Sequence, residues 1–380
     1  YGHEVGREEI SSESARSTPP HLVPLRITSP EEIRLCDPAV GSGHMLTYAF
    51  DLLHAIYAEE GYPPSDIPRL ILTHNLYGME IDERAGGLAA FALTMKAREK
   101  DRRFLGRAVA PHICVLRGGV FDEDELARLP WLSALGQNLV DRPVADALLA
   151  DLHAAALLPN VGSLLRPQLS LAQIERVRAA IEDADDLFSH ELNQRVLALL
   201  EQLAFLARPY EVVVANPPYM GGGNANDELK AFAQSQYPES KADLFAMFIE
   251  RNLDFARRNG LVAMITMQSW MFLSSYEKLR AKLLEEQTIL SMAHLGPRAF
   301  DTIGGEVVST TAFVLERAAH PTHNGAYLRL LDGNSEAEKS EMFRSVLSSQ
   351  STTRNSPLYR AAAADFKKIP GSPIAYWATQ

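Results

Sequence analysis

The stretch that most constrains this chain is Glu211-Val212-Val213-Val214-Ala215 running directly into Asn216-Pro217-Pro218-Tyr219. The β-branched run reads as a buried strand. Gly221, Gly222 and Gly223 follow the tyrosine. A polar amide, two rigid prolines and an aromatic therefore sit where a strand ends and a flexible loop begins. In open α/β sheets, ligands bind outside the carboxyl ends of the strands. Prolines fix φ and carry no N–H, which leaves their carbonyls free to accept from a ligand. Asn216 offers an acceptor and two donors, and Tyr219 a flat face for stacking. Together the four residues read as a socket for a planar group bearing an exocyclic amine. Asn-Pro is also a common turn dipeptide, so an ordinary turn fits equally well until the rest of the chain is weighed.

A second constellation lies upstream. Ile33-Arg34-Leu35-Cys36-Asp37 reads as a strand, Pro38-Ala39-Val40-Gly41-Ser42-Gly43 as a turn, and the residues from His44 through Leu53 and Ala58 as an amphipathic helix. Strand, glycine turn and helix is the nucleotide-cofactor arrangement: Gly41 and Gly43 allow close backbone approach, and the helix N-terminus faces the ligand. The dinucleotide pattern G-x-G-x-x-G lacks its third glycine here, and Asp37 ends the strand. A carboxylate there repels a pyrophosphate and suits a positively charged or free amino group. That favours S-adenosylmethionine (SAM) over NAD. Leu76–Asp82 reads as the second strand, with a helix from about Glu83 to Ala97. Glu80, at its carboxyl end, suits the two hydroxyls of a ribose, while Asp82 fits a helix N-terminal acid. His112–Leu116 reads as the third strand. The turn after it, Arg117-Gly118-Gly119-Val120-Phe121, is as consistent with an ordinary turn as with a seat for an adenine ring.

The organisation follows. Residues 1–31 are a polar segment, and residues 32–121 one half of a Rossmann-like core. Residues 122–209 change to helical periodicity, with two helices expected from Leu171 to Ala207. That is too long for a βα connection, so it is a helical insertion between the third and fourth strands. Residues 210–318 are the second half, with an amphipathic helix over Lys241–Arg258, a strand over Leu261–Met267, a helix over Tyr276–Leu284, and strands over Thr288–Leu295 and Val307–Leu315. Residues 319–380 read as a linker, and Ile374-Ala375-Tyr376-Trp377 as an apolar cluster with nothing after it to bury it.

Charge and cysteine usage narrow the partners. A protein gripping duplex DNA usually presents a basic face, yet the net charge is -11. Any DNA contact must come from local patches or from parts not present here. The clearest patch, Lys96 to Arg103, reads more simply as a solvated helix end. Cys36 and Cys114 lie in apolar strands and read as buried free thiols of a reducing compartment, the cytoplasm. The 11 histidines show no paired ligand spacing, so no metal is expected. No apolar run approaches a membrane span.

Taken in order, DPAVGSGHML (37–46), GMEID (78–82) and VVVANPPYMGGG (212–223) resemble the amino-group DNA methyltransferases of the N6-adenine type, in their gamma arrangement. With the tail KIPGSPIAYW (368–377), the chain is similar to the adenine-specific methyltransferase family of the BREX phage-defence systems, from about Ile33 to Trp377. The resemblance implies a Rossmann-like SAM-dependent methyltransferase sheet. It implies SAM held by Asp37, Pro38, Ala39, Gly41, Gly43, Glu80, Ile81 and Asn216, and catalysis by Asn216, Pro217, Pro218 and Tyr219. Tyr219 would stack on a flipped adenine of double-stranded DNA. Phe300, where the family places a second aromatic, would cover the other face, although a core phenylalanine fits it equally.

Two departures stand out. The family's Phe-Thr-Pro-like segment upstream of the glycine motif has no counterpart, since Ser17-Thr18-Pro19-Pro20 does not match it. Gly118-Gly119 stands where an Asp often contacts the adenine. Tyr1 rather than Met opens the chain, which reads as the catalytic core of a larger protein. The family's target-recognition domain and other BREX proteins are expected as partners, and no efficient methylation of a defined site is expected from this chain alone. The same four-residue motif also resembles methyltransferases acting on protein glutamine amides or RNA guanine amines. A non-catalytic SAM- or DNA-sensing subunit is a further reading, which the retention of both Asn216 and Asp37 disfavours. The glycine pattern disfavours an NAD-dependent dehydrogenase.

Overall fold

The computed structural model describes residues 25–184, 189–300, 308–348 and 357–378. Among them, one mixed sheet is built from β1 (Leu35–Asp37), β2 (Leu76–Glu80), β3 (His112–Val115), β4 (Tyr210–Ala215), β5 (Ala256–Met267), β6 (Thr288–Gly296), β7 (Thr310–Glu316), β8 (Asn324–Arg329) and β9 (Leu358–Ala362). Their spatial order is β3-β2-β1-β4-β5-β7-β6-β8-β9. The first five strands in that order run parallel, and β7 is antiparallel to both β5 and β6. Strand order therefore reverses between β1 and β4. That switch point opens a crevice at their carboxyl ends, where Asp37 and Asn216 stand on adjacent strands.

The parallel strands are apolar because both faces are covered. Helices His44–Glu59 and Glu83–Lys100 pack on one face through Leu46, Phe50, Ala89 and Leu93. Helix Leu244–Phe255 and the helices between β3 and β4 pack on the other, around Tyr77, Met79 and Val213. The crowding is tight enough to dictate a residue: a Cβ on Gly78 of β2 would lie 2.7 Å from Ile113 Cδ1.

The α/β sheet with its helical insertion matches the expectation, and Leu171–Asp183 and His190–Ala207 are the two helices expected late in the insertion. One expectation fails there. The helical stretch Arg142–Leu164 is long and apolar enough, by length and composition, to cross a membrane. Half of it is buried inside the molecule, where Leu148, Leu152, Ala155 and Leu158 join the core. Its apolarity is that of a core helix.

The insertion is tied to the second half of the core by Arg251, 4% exposed in helix Leu244–Phe255. Its guanidinium donates to the carbonyls of Ser163 (2.8 Å), Leu165 (2.9 Å) and Leu206 (2.9 Å) and lies 3.7 Å over the Phe255 ring. Burial pulls its pKa down to about 10. Arg251→Met keeps the stem but strands three buried carbonyls. We expect a loss on the order of 3 kcal/mol, read by urea unfolding of the full-length protein; a loss below about 1 kcal/mol contradicts this bracing role.

Residues 319–380, expected as a linker, instead extend the sheet with β8 and β9, between which helix Glu336–Ser348 runs. The tail folds back on it. Ile374 and Tyr376 are fully buried, Tyr376 stacks on Tyr327 at 5.2 Å, and its hydroxyl meets His294 Nδ1 at 3.0 Å. The apolar tail is buried by the protein's own strands. The basic patch begins with an ion pair, Lys96 to Asp51.

Candidate active site at the carboxyl ends of β1 and β4

Asp37 ends β1 and is 1% exposed. Its carboxylate accepts one backbone N–H, from Ala39 at 3.1 Å. The turn that follows is held by the second strand: Val40 N–H donates to the Met79 carbonyl (3.0 Å) and Gly41 N–H to Glu80 Oε2 (2.8 Å). Glu80 Oε1 accepts from the N–H groups of Ile81 (2.9 Å) and Asp82 (3.0 Å). One carboxylate thus fastens the turn after β1 to the turn after β2. Gly41 (φ +53°) and Gly43 (φ +89°) take left-handed backbone, which glycine adopts without strain. At Gly43 space also decides, since a Cβ would lie 3.1 Å from Ala89; beside Gly41 it would meet nothing within 4 Å. Asp82 is the N-cap of helix Glu83–Lys100, accepting from Arg84 (2.7 Å) and Ala85 (3.2 Å).

Burial pushes the Asp37 carboxyl up to about 7, the Ala39 N–H opposes this, and the nearby Glu80 adds to the rise. A buried carboxyl with one donor and an anionic neighbour is a poor seat for a phosphate. It fits a cationic group, which relieves both the desolvation and the repulsion.

Asn216 follows β4 with its side chain exposed and makes no hydrogen bond to another described residue; Pro217 is buried and Pro218 exposed. The loop beyond is pinned by a residue the sequence reading missed. Asp243 Oδ1 accepts from Met220 N–H at 3.0 Å and Phe245 N–H at 3.3 Å, while Leu244 N–H donates to the Met220 carbonyl at 3.2 Å. Asp243 is the N-cap of helix Leu244–Phe255, so the helix starts later than Lys241. The signal was an Asp immediately before an apolar periodic run. Tyr219 is half-buried, edge-on to Phe245 at 6.1 Å, with its hydroxyl 3.5 Å from the Ile265 carbonyl. Burial raises its pKa to about 12, with Asp243 adding to the rise, so the phenol stays neutral.

A cavity of about 940 Å³ brings several expected residues together: Asp37, Ala39, Gly41, Asn216 and Phe300 all line it. Phe300 is half-buried there, and residues 301–307 after it lie outside the described residues. Pro217, Pro218, Tyr219, Gly43, Glu80 and Ile81 do not line this cavity, and Pro38 is buried with its carbonyl turned to the insertion, where it accepts from Ser163 Oγ. Tyr219 and Phe300 therefore do not share one wall. Cys36 and Cys114 are free and buried.

The chain is 41% identical over 391 residues to the adenine-specific methyltransferase BrxX of Escherichia coli O9:H4 (strain HS), covering 98% of this chain and 31% of that protein. It is 36% identical over 359 residues to the adenine-specific methyltransferase PglX of Lacticaseibacillus casei (strain Zhang), covering 92% of this chain and 29% of that one. The chain thus spans about a third of the length of these curated relatives. In fold it is similar to a chain from a structure of a type I restriction–modification system, with a TM-score of 0.50, 14% identity, and coverage of 91% of this chain and 55% of that one. The profile of the Eco57I restriction-modification methylases matches residues 74–300, more than half of the sequence. The chain belongs to the Eco57I restriction-modification methylase family.

Proposed function

We propose that this chain is the catalytic core of a site-specific DNA methyltransferase that transfers a methyl group from SAM to N6 of a flipped adenine, self-marking host DNA in a BREX phage-defence system. The observation that carries this reading is the exposed Asn216 amide facing the same cavity as the buried Asp37 carboxyl, at the switch point between β1 and β4. The adenine-specific names of the curated relatives support the choice of base.

SAM, when bound, supplies a methyl group activated on a sulfonium. Asp37 would accept from its ammonium group. Glu80, with an acceptor site left on Oε2 beyond its bond from Gly41, would hold the ribose, and Ile81, 48% exposed, would give the adenine an apolar contact. The pinned loop after β4 presents Asn216 Oδ1 and the Pro217 carbonyl to the two N6 hydrogens. The N6 lone pair is delocalised into the ring, and two acceptors favour the tetrahedral, nucleophilic nitrogen of the transition state. This is differential stabilisation plus positioning. The base must leave the helix to reach Asn216, and Tyr219 stacks on one face while Phe300 approaches from the cavity. Phosphate contacts fall mainly to parts of the full-length protein outside this acidic core, including its target-recognition domain. Two buried free thiols support the cytoplasm as its compartment.

Full-length protein incubated with methyl-labelled SAM and, separately, duplex DNA, RNA and protein extract tests the acceptor class. Label is expected in DNA; label confined to protein or RNA overturns the DNA reading.

Tyr219 offers a second expected result. Base–aromatic stacking is worth about 1–3 kcal/mol per base, so Tyr219→Ala should weaken base capture by about five- to 150-fold. Tyr219→Phe should keep most activity, because the long 3.5 Å hydroxyl contact is weak. The rise in 2-aminopurine fluorescence at the target base reads the capture. Equal damage from Phe and Ala gives the hydroxyl a role that stacking does not explain.

A further inference from the structure

The helical insertion reaches the site directly. Its segment Ala155–Leu165 touches the turns after β1, β2 and β3 and the N-cap of the helix that follows the loop after β4. Ser163, 2% exposed, donates from Oγ to the Pro38 carbonyl at 2.6 Å, immediately beyond Asp37. Gly162 has φ +55° and ψ −135°, and a Cβ there would lie 2.8 Å from Ile81 Cγ2, immediately beyond Glu80. The carbonyl of Ala155 sits where a Cβ on Gly118 would be 2.1 Å away, and it accepts the Gly119 N–H at 3.4 Å in the turn after β3. Asn160 exchanges hydrogen bonds with Asn226 at 3.2 Å, beyond the loop after β4. The same segment is anchored from behind by Arg251, and by Tyr237, whose hydroxyl donates to the Leu164 carbonyl at 2.6 Å.

We infer that the Ala155–Leu165 segment of the insertion is a cofactor-positioning brace, with Ser163 holding the Asp37 turn and Gly162 seating the Glu80 turn. Ser163 is a positioning residue, since it acts through Pro38 and touches neither the cofactor nor the base. The two carboxylates meet one ligand, so the spacing of their turns sets its affinity. A turn gripped from below presents Asp37 already in place and reduces the ordering cost of binding. The glycines at 118 and 162 follow from the same contact: each is where the insertion presses on a loop too closely for a side chain.

This inference rests on the SAM reading above, and its test separates the two. Binding of SAM and of S-adenosylhomocysteine to the full-length protein is measured by calorimetry for wild type, Ser163→Ala and Trp131→Phe. Trp131→Phe removes a buried 2.9 Å bond to Asn193 inside the insertion, away from the turn. Losing the Ser163 bond should weaken both ligands about three- to tenfold. The turnover rate at saturating SAM should stay within about twofold, so the change appears in KM. Trp131→Phe should bind as wild type. Wild-type binding with Ser163→Ala unchanged overturns the brace alone, as does an equal loss in Trp131→Phe, which makes the effect one of general stability. A wild type that binds neither ligand overturns the SAM reading, and the brace with it.

Discussion

Asn216→Ala in the full-length protein is expected to reduce methyl transfer by at least about 10²–10³-fold, the usual cost of removing one group aimed at a transition state. SAM affinity should change little. The Asn216 side chain is exposed and has no hydrogen bond to another described residue, and the loop that carries it is held by Asp243 through Met220. Truncation therefore leaves the backbone in place and removes only the amide. The effect belongs in the single-turnover rate more than in cofactor binding. Near-normal turnover in Asn216→Ala would reduce the motif to an ordinary strand-to-loop turn.

Asp37→Asn is expected to weaken SAM binding by at least about tenfold, since a buried hydrogen bond to a charge contributes roughly 1.5–3 kcal/mol. It also has a pH signature. The free protein holds the Asp37 carboxyl at about 7, chiefly through burial. Below that pH the group is protonated and must release a proton to pair with an ammonium. Wild-type affinity should therefore rise between pH 6 and pH 8, and the Asn variant should lose this component of the rise. Stability of the cofactor-free protein runs the other way. The folded carboxyl titrates above its unfolded value, so wild type loses stability relative to Asp37→Asn as pH rises from about 4 through about 7. Calorimetry and urea unfolding across this range read both. Unchanged SAM affinity in a folded Asp37→Asn protein would remove this turn as the cofactor site.

These expectations were legible early because the residues behind them lie on buried parallel strands. Strands covered on both faces must be continuous apolar runs, so β1, β2, β3 and β4 stand out, and the polar residues that end β1 and β2 and follow β4 (Asp37, Glu80 and Asn216) are conspicuous. The outer strands do not obey that rule. β8 (Asn324–Arg329) contains a glycine and ends in arginine, and β9 (Leu358–Ala362) has its central Arg360 exposed. Neither alternates cleanly. Helix Glu336–Ser348 has among its described residues a single buried side chain, Lys339, whose ammonium donates to the carbonyls of Leu295 (2.7 Å) and Leu330 (2.9 Å). The helix's apolar residues Met342, Phe343, Val346 and Leu347 are not buried in the core, and the last three line the cavity. The tail from Ile374 to Trp377 packs against Tyr327 of β8 and His294 of β6, and the weak pattern of β8 hides that partner from the sequence.

The site divides in the same way. Asp37, Gly41, Glu80 and Asn216 belong to short local motifs, and their placement needs only strand order. Asp243 and Ser163 act across the fold, from a helix cap and from an insertion whose leucine-rich pattern gives no hint of a contact with Pro38. What the turn at Gly162 touches is decided by packing. The helical periodicity of residues 122–209 established what the insertion is made of and nothing about what it braces.

The chemical identity of the product tests the roles of Asn216 and of the DNA acceptor together. Full-length wild type and Asn216→Ala are each incubated with methyl-labelled SAM and duplex DNA, and the DNA is digested to nucleosides for mass spectrometry. Label is expected in N6-methyldeoxyadenosine with wild type and is expected to be lost with Asn216→Ala. Label in another base, or N6-methyldeoxyadenosine formed equally by Asn216→Ala, would contradict this expectation.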